Sequence, residues 1–424
     1  MRRGIAATAL VATLALAATA CGGDSDGGQT KGKGGELAGE VTWWDTSTVG
    51  SEDKVFKKIA EDFKKKHPKV TVKYVNVPFG DAQNKFKNAA QAGTGAPDVI
   101  RAEVAWTPDF ADLGYLAPLD GTAALKNQDD FLKQAAASTK YKDKTYAVPQ
   151  VIDSMGVFYN KKMFKAAGVE VPKTIDELKT VSKKIKEKTG KTGMYLRGDD
   201  AYWFLSFLYG EGGDLVDAES KTVTVDNAAG VKAMNVVKDL VTSGAAKTDA
   251  TDGFDNMQKA FKSGEVAMMI NGPWAIADTY SGDQFTDKAN LGIAPVPAGS
   301  AGQGAPQGGH NLAVYAGSKN LDASYAFVEY MSSPEVQAQV TKDLNLLPTR
   351  TSVYGQPDVA KNEIVGFFKP VVEKAVERPW IPETGSLFAP LVTEYTKVLT
   401  GQTAPEAGVK TTGESYRKLL KGWK

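Results

Sequence analysis

The sequence predicts an α/β protein built from layers of strand and helix, and three observations carry that expectation. The chain has 424 residues, enough for two or three domains at about 100–200 residues each. Apolar residues make up 42% and charged residues 24%, the balance of a chain that buries a core. From Gly39 onward, short strand patterns alternate with amphipathic helices.

Taken in order, Val41-Thr42-Trp43-Trp44 is expected to form the first strand. Val55, Ile59 and Phe63 recur at helical spacing, with the lysines at 57, 58, 64, 65 and 66 on the opposite, solvated face. Val70, Val72 and Tyr74 alternate as a second strand. Thr174 and Glu177 read as a capping box ahead of the apolar stripe Leu178, Val181, Ile185. Val266 to Ile270 reads as a strand running into Asn271-Gly272-Pro273-Trp274. Asp322 is expected to cap a helix through Tyr330, and Ser333-Pro334 to start another. The glycine-rich stretch from Gly299 to Gly309 reads as a mobile loop or a crossing between lobes.

Composition excludes much chemistry. Net charge is +1, which argues against nucleic acid as a partner, since phosphate binding needs clustered, uncompensated basic residues. One cysteine, Cys21, allows no intrachain disulfide and no thiolate cluster. Two histidines, His67 and His310, leave little room for a metal site, and no cofactor fingerprint or nucleophile elbow is present. His67 lies at a helix exit among lysines. His310 follows a glycine pair that permits close backbone approach, either to a ligand or to loop hydrogen bonds.

The N-terminus reads as an address. Arg2 and Arg3 precede an apolar run from Ile5 to Ala20, shorter than the ~20 residues a membrane-crossing helix needs, so residues 1–20 read as a signal peptide. Ala18-Thr19-Ala20-Cys21 resembles the lipobox of bacterial lipoproteins, with Ala18 where a Leu is more usual; a secreted protein with a free thiol is the alternative. Residues 21–38, rich in Gly, Asp, Ser and Lys, read as a flexible tether. Cleavage removes two of the 51 basic residues and none of the 50 acidic ones, so charge would not hold the body to anionic lipid and acyl chains would anchor it.

The candidate site is aromatic and acidic. Several of the seven tryptophans sit beside polar turn residues: Trp106 after Glu103, Tyr202-Trp203 after Asp200, Trp274 after Asn271-Gly272-Pro273, and Trp380 between prolines. A flat indole covers the C–H face of a pyranose while carboxylates accept its hydroxyls. Half-burying one such ring contributes about 2–3 kcal/mol as an upper bound, and each charge-assisted hydrogen bond about 1.5–3 kcal/mol. Two of each reach the ~8 kcal/mol of micromolar binding before ordering costs. For any one tryptophan taken alone, core packing is the alternative.

Four stretches carry a family resemblance: Glu61-Asp62-Phe63 through His67-Pro68-Lys69-Val70; Gly95-Ala96-Pro97-Asp98-Val99; Tyr146-Ala147-Val148-Pro149 through Phe158-Tyr159-Asn160-Lys161; and Ile270-Asn271-Gly272-Pro273-Trp274. Through them, residues 39–424 resemble the family 1 extracellular solute-binding proteins of ABC importers, maltose/maltodextrin-binding type, and the lipobox and tether resemble a Gram-positive member. The resemblance implies a two-lobed periplasmic-binding-protein type II fold with an interlobe ligand cleft and hinge crossings. Its lobes would be 39–151 with 311–364, and 152–310 with 365–424. It implies that Trp274 stacks on a glucose ring, that Asp200, Tyr202 and Trp203 supply a carboxylate and rings, and that Asp153 hydrogen-bonds hydroxyls. Glu103 and Trp106 fall in a contributing first-lobe loop. Phe388 falls where the family's best-known member has another stacking tryptophan, with Trp380 a second candidate. Trp44, Gln83, Asn84 and His310 complete the candidate set. The implied protein is a monomeric, lipid-anchored sugar receptor without cofactor, metal or catalysis, which docks on membrane permease subunits at the outer face of the cell membrane. A receptor for another oligosaccharide and a secreted carbohydrate-active enzyme are the alternatives.

Overall fold

The computed structural model describes residues 37–424. The signal segment, Cys21 and the tether apart from Leu37 and Ala38 lie outside the described residues.

Among the described residues the strands assemble into a six-stranded and a five-stranded sheet, with two small two-stranded ones. The first sheet begins with strand Gly39–Asp45, paired in parallel with Val70–Asn76 on one side and Val99–Glu103 on the other. Strand Gly308–Val314 runs antiparallel to Val99–Glu103 and to Ala147–Asp153, which is paired in turn with Leu347–Pro348. The second sheet takes its strands from a single stretch of chain: Gly156–Asn160, Thr192–Tyr195, Ala246–Lys247, Val266–Asn271 and Leu291–Pro295. Mixed direction within each sheet follows from the chain crossing between the two.

Each sheet has its own core. Around the first, Trp43 is fully buried and meets Phe56, Tyr74 and Phe327 edge to face. Helix Glu52–Lys66 presents Phe56, Ile59, Ala60 and Phe63 inward and its lysines outward, the expected face moved over to include Phe56. Around the second, helix Ile175–Thr189 starts with the expected capping box: the Thr174 hydroxyl accepts the Glu177 N–H, and the Glu177 carboxylate accepts the Thr174 N–H. Ser333 caps helix Pro334–Leu344 by accepting the Val336 N–H.

Two expectations are corrected. Helix Leu321–Met331 starts one residue before Asp322, so Asn320 occupies the cap position and Asp322 sits in the first turn, where its charge still favours the helix dipole. The glycine-rich stretch is not a free loop. Ala298 and Ala301 donate backbone hydrogen bonds to Lys173 and Gly210. A Cβ at Gly304 would lie 2.1 Å from the Gly210 nitrogen, so the glycine allows the loop to dock. The crossing alternative fits the end of the stretch, because residues 305–307 lead directly into Gly308–Val314 of the first sheet.

Candidate functional site

The site grows from a seam where two chain segments cross between the sheets and a third lies against them. Strand Ala147–Asp153 ends in the first sheet, and only Ser154 and Met155 separate it from Gly156–Asn160 in the second. The Ser154 hydroxyl donates to the Pro306 carbonyl at 2.8 Å, tying the first crossing to the second. The third segment joins through Val376, which donates to Ala305 and accepts from Gln307, both at 2.8 Å.

This seam holds a group of buried polar side chains. Glu103, the last residue of its strand, lies opposite His310 in register. One Glu103 oxygen accepts the Ala105 N–H at 3.0 Å and the other pairs with Arg378. Arg378 is 3% exposed, and its Nε–H donates to the Gln307 carbonyl at 3.0 Å. Asp153 enters from the strand end. Burial pushes its carboxyl up to about 7, and the neighbouring Glu103 charge adds to the rise while Arg378 and Arg101 oppose it. A Cβ at Gly308 would lie 2.2 Å from Asp153 Oδ1 and 2.5 Å from the Tyr202 hydroxyl, so the two groups converge on a position only glycine tolerates. Burial, then the positive charges of Arg101 and Arg378, hold the His310 imidazole well below its usual range and hence neutral.

Four atoms of this group have no hydrogen-bond partner among the described residues: Tyr202 Oη, Gln307 Oε1, and both ring nitrogens of His310. Buried polar atoms are satisfied in the great majority of folded proteins, and leaving one bare costs about 1–3 kcal/mol. Four such atoms meet in this one seam.

Beside them stands a stack of aromatic rings. The Asn271-Gly272-Pro273-Trp274 turn is built around the indole: a Cβ on Gly272 would sit 2.0 Å from Trp274 Cζ3, so the ring folds back over a bare backbone. Trp274 is half-buried and packs against the apolar cores of both sheets. Trp203 meets it edge to face at 6.4 Å, donates its Nε1–H to the Ile270 carbonyl at 2.7 Å, and carries the Arg197 guanidinium 4.2 Å above its ring. Tyr202 meets Trp203 edge-on at 5.9 Å. Asp200 orders this turn by accepting the Tyr202 N–H at 2.9 Å and pairs with Arg197 at 3.3 Å.

The remaining candidates lie on the rim. Trp106 opens helix Trp106–Asp112 rather than lying in a loop, and is 6% exposed beneath Phe79. Trp203 is 5% exposed. Both indoles are enclosed, and the rings beside them that keep exposed surface are Phe79 and Trp274. Gln83 donates to Asp109 at 3.1 Å and lies against Gly385, whose Cβ would be 2.8 Å from Gln83 Nε2; this joins helix Phe79–Ala92 to helix Thr384–Leu399. Phe388 is half-buried on that second helix, and Trp380 is half-buried with its Nε1–H on Glu377 at 3.3 Å. Trp44 is half-buried against the apolar cluster that includes Trp106, and Asn84 is exposed.

Arg378, Gln307 and Phe79 escaped sequence reasoning. Arg378 adjoins Pro379-Trp380, where a cation between a hinge and an aromatic was the available signal. Gln307 and Phe79 had none, because their importance is a matter of which atoms stay unpaired or uncovered.

A family model described as bacterial extracellular solute-binding protein matches residues 47–338. The crystal structures of the GacH receptor of Streptomyces glaucescens, unliganded and with acarbose or an acarbose homolog, superpose with a TM-score of 0.90 at 65% identity, covering 92% of this chain and 100% of that one. The maltose-bound MalE3 of T. maritima superposes with a TM-score of 0.82 at 26% identity, covering 90% and 99%. The diacetylchitobiose binding protein DasA of Streptomyces coelicolor is 29% identical over 431 residues, covering 99% of each chain. The chain belongs to the bacterial extracellular solute-binding protein family and has the two-lobed α/β fold of these receptors.

Proposed function

We propose that this extracellular solute-binding protein is the sugar receptor of an ABC importer, holding a maltodextrin-type oligosaccharide between its two lobes and handing it to membrane permease subunits. The carrying observation is the seam itself. Tyr202, Gln307 and His310 present unpaired buried atoms beside Asp153 and the Glu103–Arg378 pair, with the half-buried Trp274 alongside. A polyol supplies what such a surface lacks, since each hydroxyl both donates and accepts, and its C–H face suits an indole.

In this reading the lobes are 39–151 with 311–364 and 152–310 with 365–424, and the seam segments are the hinge. Ligand touching both lobes stabilises the closed form; shifting an equilibrium from 1:99 to 99:1 takes about 5.5 kcal/mol of differential affinity. Trp274 stacks on a ring, while Asp153, Glu103 and Asp200 accept hydroxyls. Cys21, lipidated after cleavage at residue 20, keeps the receptor at the outer membrane face. No group in the seam is assigned a catalytic step, and relatives named for binding rather than turnover support a receptor.

The name of DasA supports a second reading, a different oligosaccharide on the same fold. Titration calorimetry separates them. Maltose, maltotriose and acarbose are expected to bind, chitobiose derivatives to bind more weakly, and Trp274→Ala to weaken binding at least tenfold (about 1.4 kcal/mol). Binding unmoved by that change removes the stacking role. Sugar recovered intact after long incubation is the expected outcome, and release of reducing ends would make the protein an enzyme.

A further inference from the structure

We infer that the lysine-rich outer face of helix Glu52–Lys66 is a docking surface for anionic lipid headgroups, which seats the first lobe on the membrane beside its own anchor; this rests on the reading of Cys21 as lipidated. A net charge near zero predicts no such attraction, but the charges are unevenly placed. Between residues 52 and 69 stand seven lysines and four acids. One of those acids, Glu52, is 4% exposed, which leaves Asp53, Glu61 and Asp62 to face the cations. Asp62 pairs with Lys65 at 2.6 Å. Lys54, Lys57, Lys58 and Lys64 are exposed and have no ion-pair partner among the described residues.

The fold turns this run into a surface. Phe56, Ile59, Ala60 and Phe63 face inward, so the lysines between them stand on the outer side of a helix about 22 Å long. The helix dipole accounts for Lys64, Lys65 and Lys66 in the last turn. It does not account for Lys57 and Lys58 in the middle, and it opposes Lys54 in the first turn. The second observation is where the chain arrives. Gly39 donates its N–H to the Lys69 carbonyl at 3.1 Å and lies opposite Val70 in register, so the segment from Cys21 joins the body just past the end of this helix. Residues 21–38 span at most about 60–65 Å. Acyl chains on Cys21 therefore keep the helix within reach of the headgroups, where effective concentration lets a weak attraction suffice. A lipid surface fits better than a soluble polyanion because the anchor delivers the helix to it.

The test uses the full lipidated chain in vesicles of phosphatidylcholine alone or mixed with phosphatidylglycerol, with lysine modification by a water-soluble amine reagent read by mass spectrometry. On anionic vesicles Lys57, Lys58 and Lys64 are expected to react at least about threefold more slowly than on neutral ones, with the difference lost near about 0.5 M salt. The exposed Lys186 and Lys188 of the second lobe should react equally on both. Lys57→Glu with Lys64→Glu should abolish the protection of Lys58, with thermal melts verifying that these exposed changes leave the fold intact. Equal rates on the two vesicles overturn the surface and leave the anchor standing, and protection by free polyphosphate equal to that by anionic vesicles assigns the face to a soluble polyanion instead. Cys21 found without acyl chains overturns the anchor; the unacylated chain should then still float with anionic vesicles at low salt, and failure to do so overturns the surface too.

Discussion

Two buried polar clusters lie a few strand positions apart, and they differ in how completely their atoms are used. In the first lobe, Asp45 accepts hydrogen bonds from the Ser47 hydroxyl and backbone and from Tyr74 Oη at 2.7 Å. Arg101 donates to Gln150 at 2.8 Å and stands 3.9 Å from Asp45. Burial raises the Asp45 carboxyl, and Arg101, Ser47 and Tyr74 all oppose that rise. Within this cluster the Gln150 Nε2 group is the exception, without a partner among the described residues. In the seam, by contrast, Tyr202, Gln307 and His310 keep bare atoms while Asp153 sits buried between Glu103 and Arg378. A closed network stabilises the lobe that contains it. An open one costs stability and is retained where something else completes it.

Substitutions sharpen this contrast. The largest expected effect is at Arg101, whose removal leaves Asp45 buried without its cation: Arg101→Met should lower unfolding stability by about 3–5 kcal/mol in denaturant titration. A loss below about 1 kcal/mol would mean the first cluster is not structural. The tyrosines form a matched pair. Tyr74→Phe removes one of the two hydroxyls that Asp45 Oδ2 accepts and should cost about 1–3 kcal/mol of stability, whereas Tyr202→Phe removes a hydroxyl with no partner among the described residues and should leave the melting temperature level or higher. Only the second should weaken sugar binding, by about tenfold. Equal destabilisation by both would erase the distinction.

The last test is the pH dependence of Asp153, whose effect is small near pH 4 and grows as pH rises. With a folded-state value of about 7 against an ordinary 3.8, the folded protein holds a proton there that the unfolded chain releases between those values. Stability from this group therefore falls as pH rises through about 4 to 7 and stays low above it. Asp153→Asn removes the dependence. The variant should melt about 2 °C or more above wild type at pH 8, with the gap closing toward pH 4. A gap that widens toward acid would mean that the buried carboxyl is charged rather than protonated.

Much of the scaffold was legible because it rests on local rules. The Thr174–Glu177 capping box, the Ser333-Pro334 start and the strand from Val266 each follow from a few adjacent residues. Asp322 shows the limit of that reading: a good capping residue sits one place inside a helix that begins at Leu321. The aromatic candidates were legible as types and not as roles. Trp106 and Trp203 look like Trp274 in sequence, yet their indoles are enclosed while Trp274 bridges both cores.

By itself the sequence determined the class of fold and the family, since periodicity, caps and short motifs are written along the chain. Tertiary structure alone decided which polar atoms stay unpaired and which rings keep an open face. Whether Tyr202 Oη or a His310 nitrogen finds a partner, and whether Phe79 or Trp106 keeps an open face, depends on atoms brought in from residues 103, 153, 308 and 378, and no local pattern encodes that meeting.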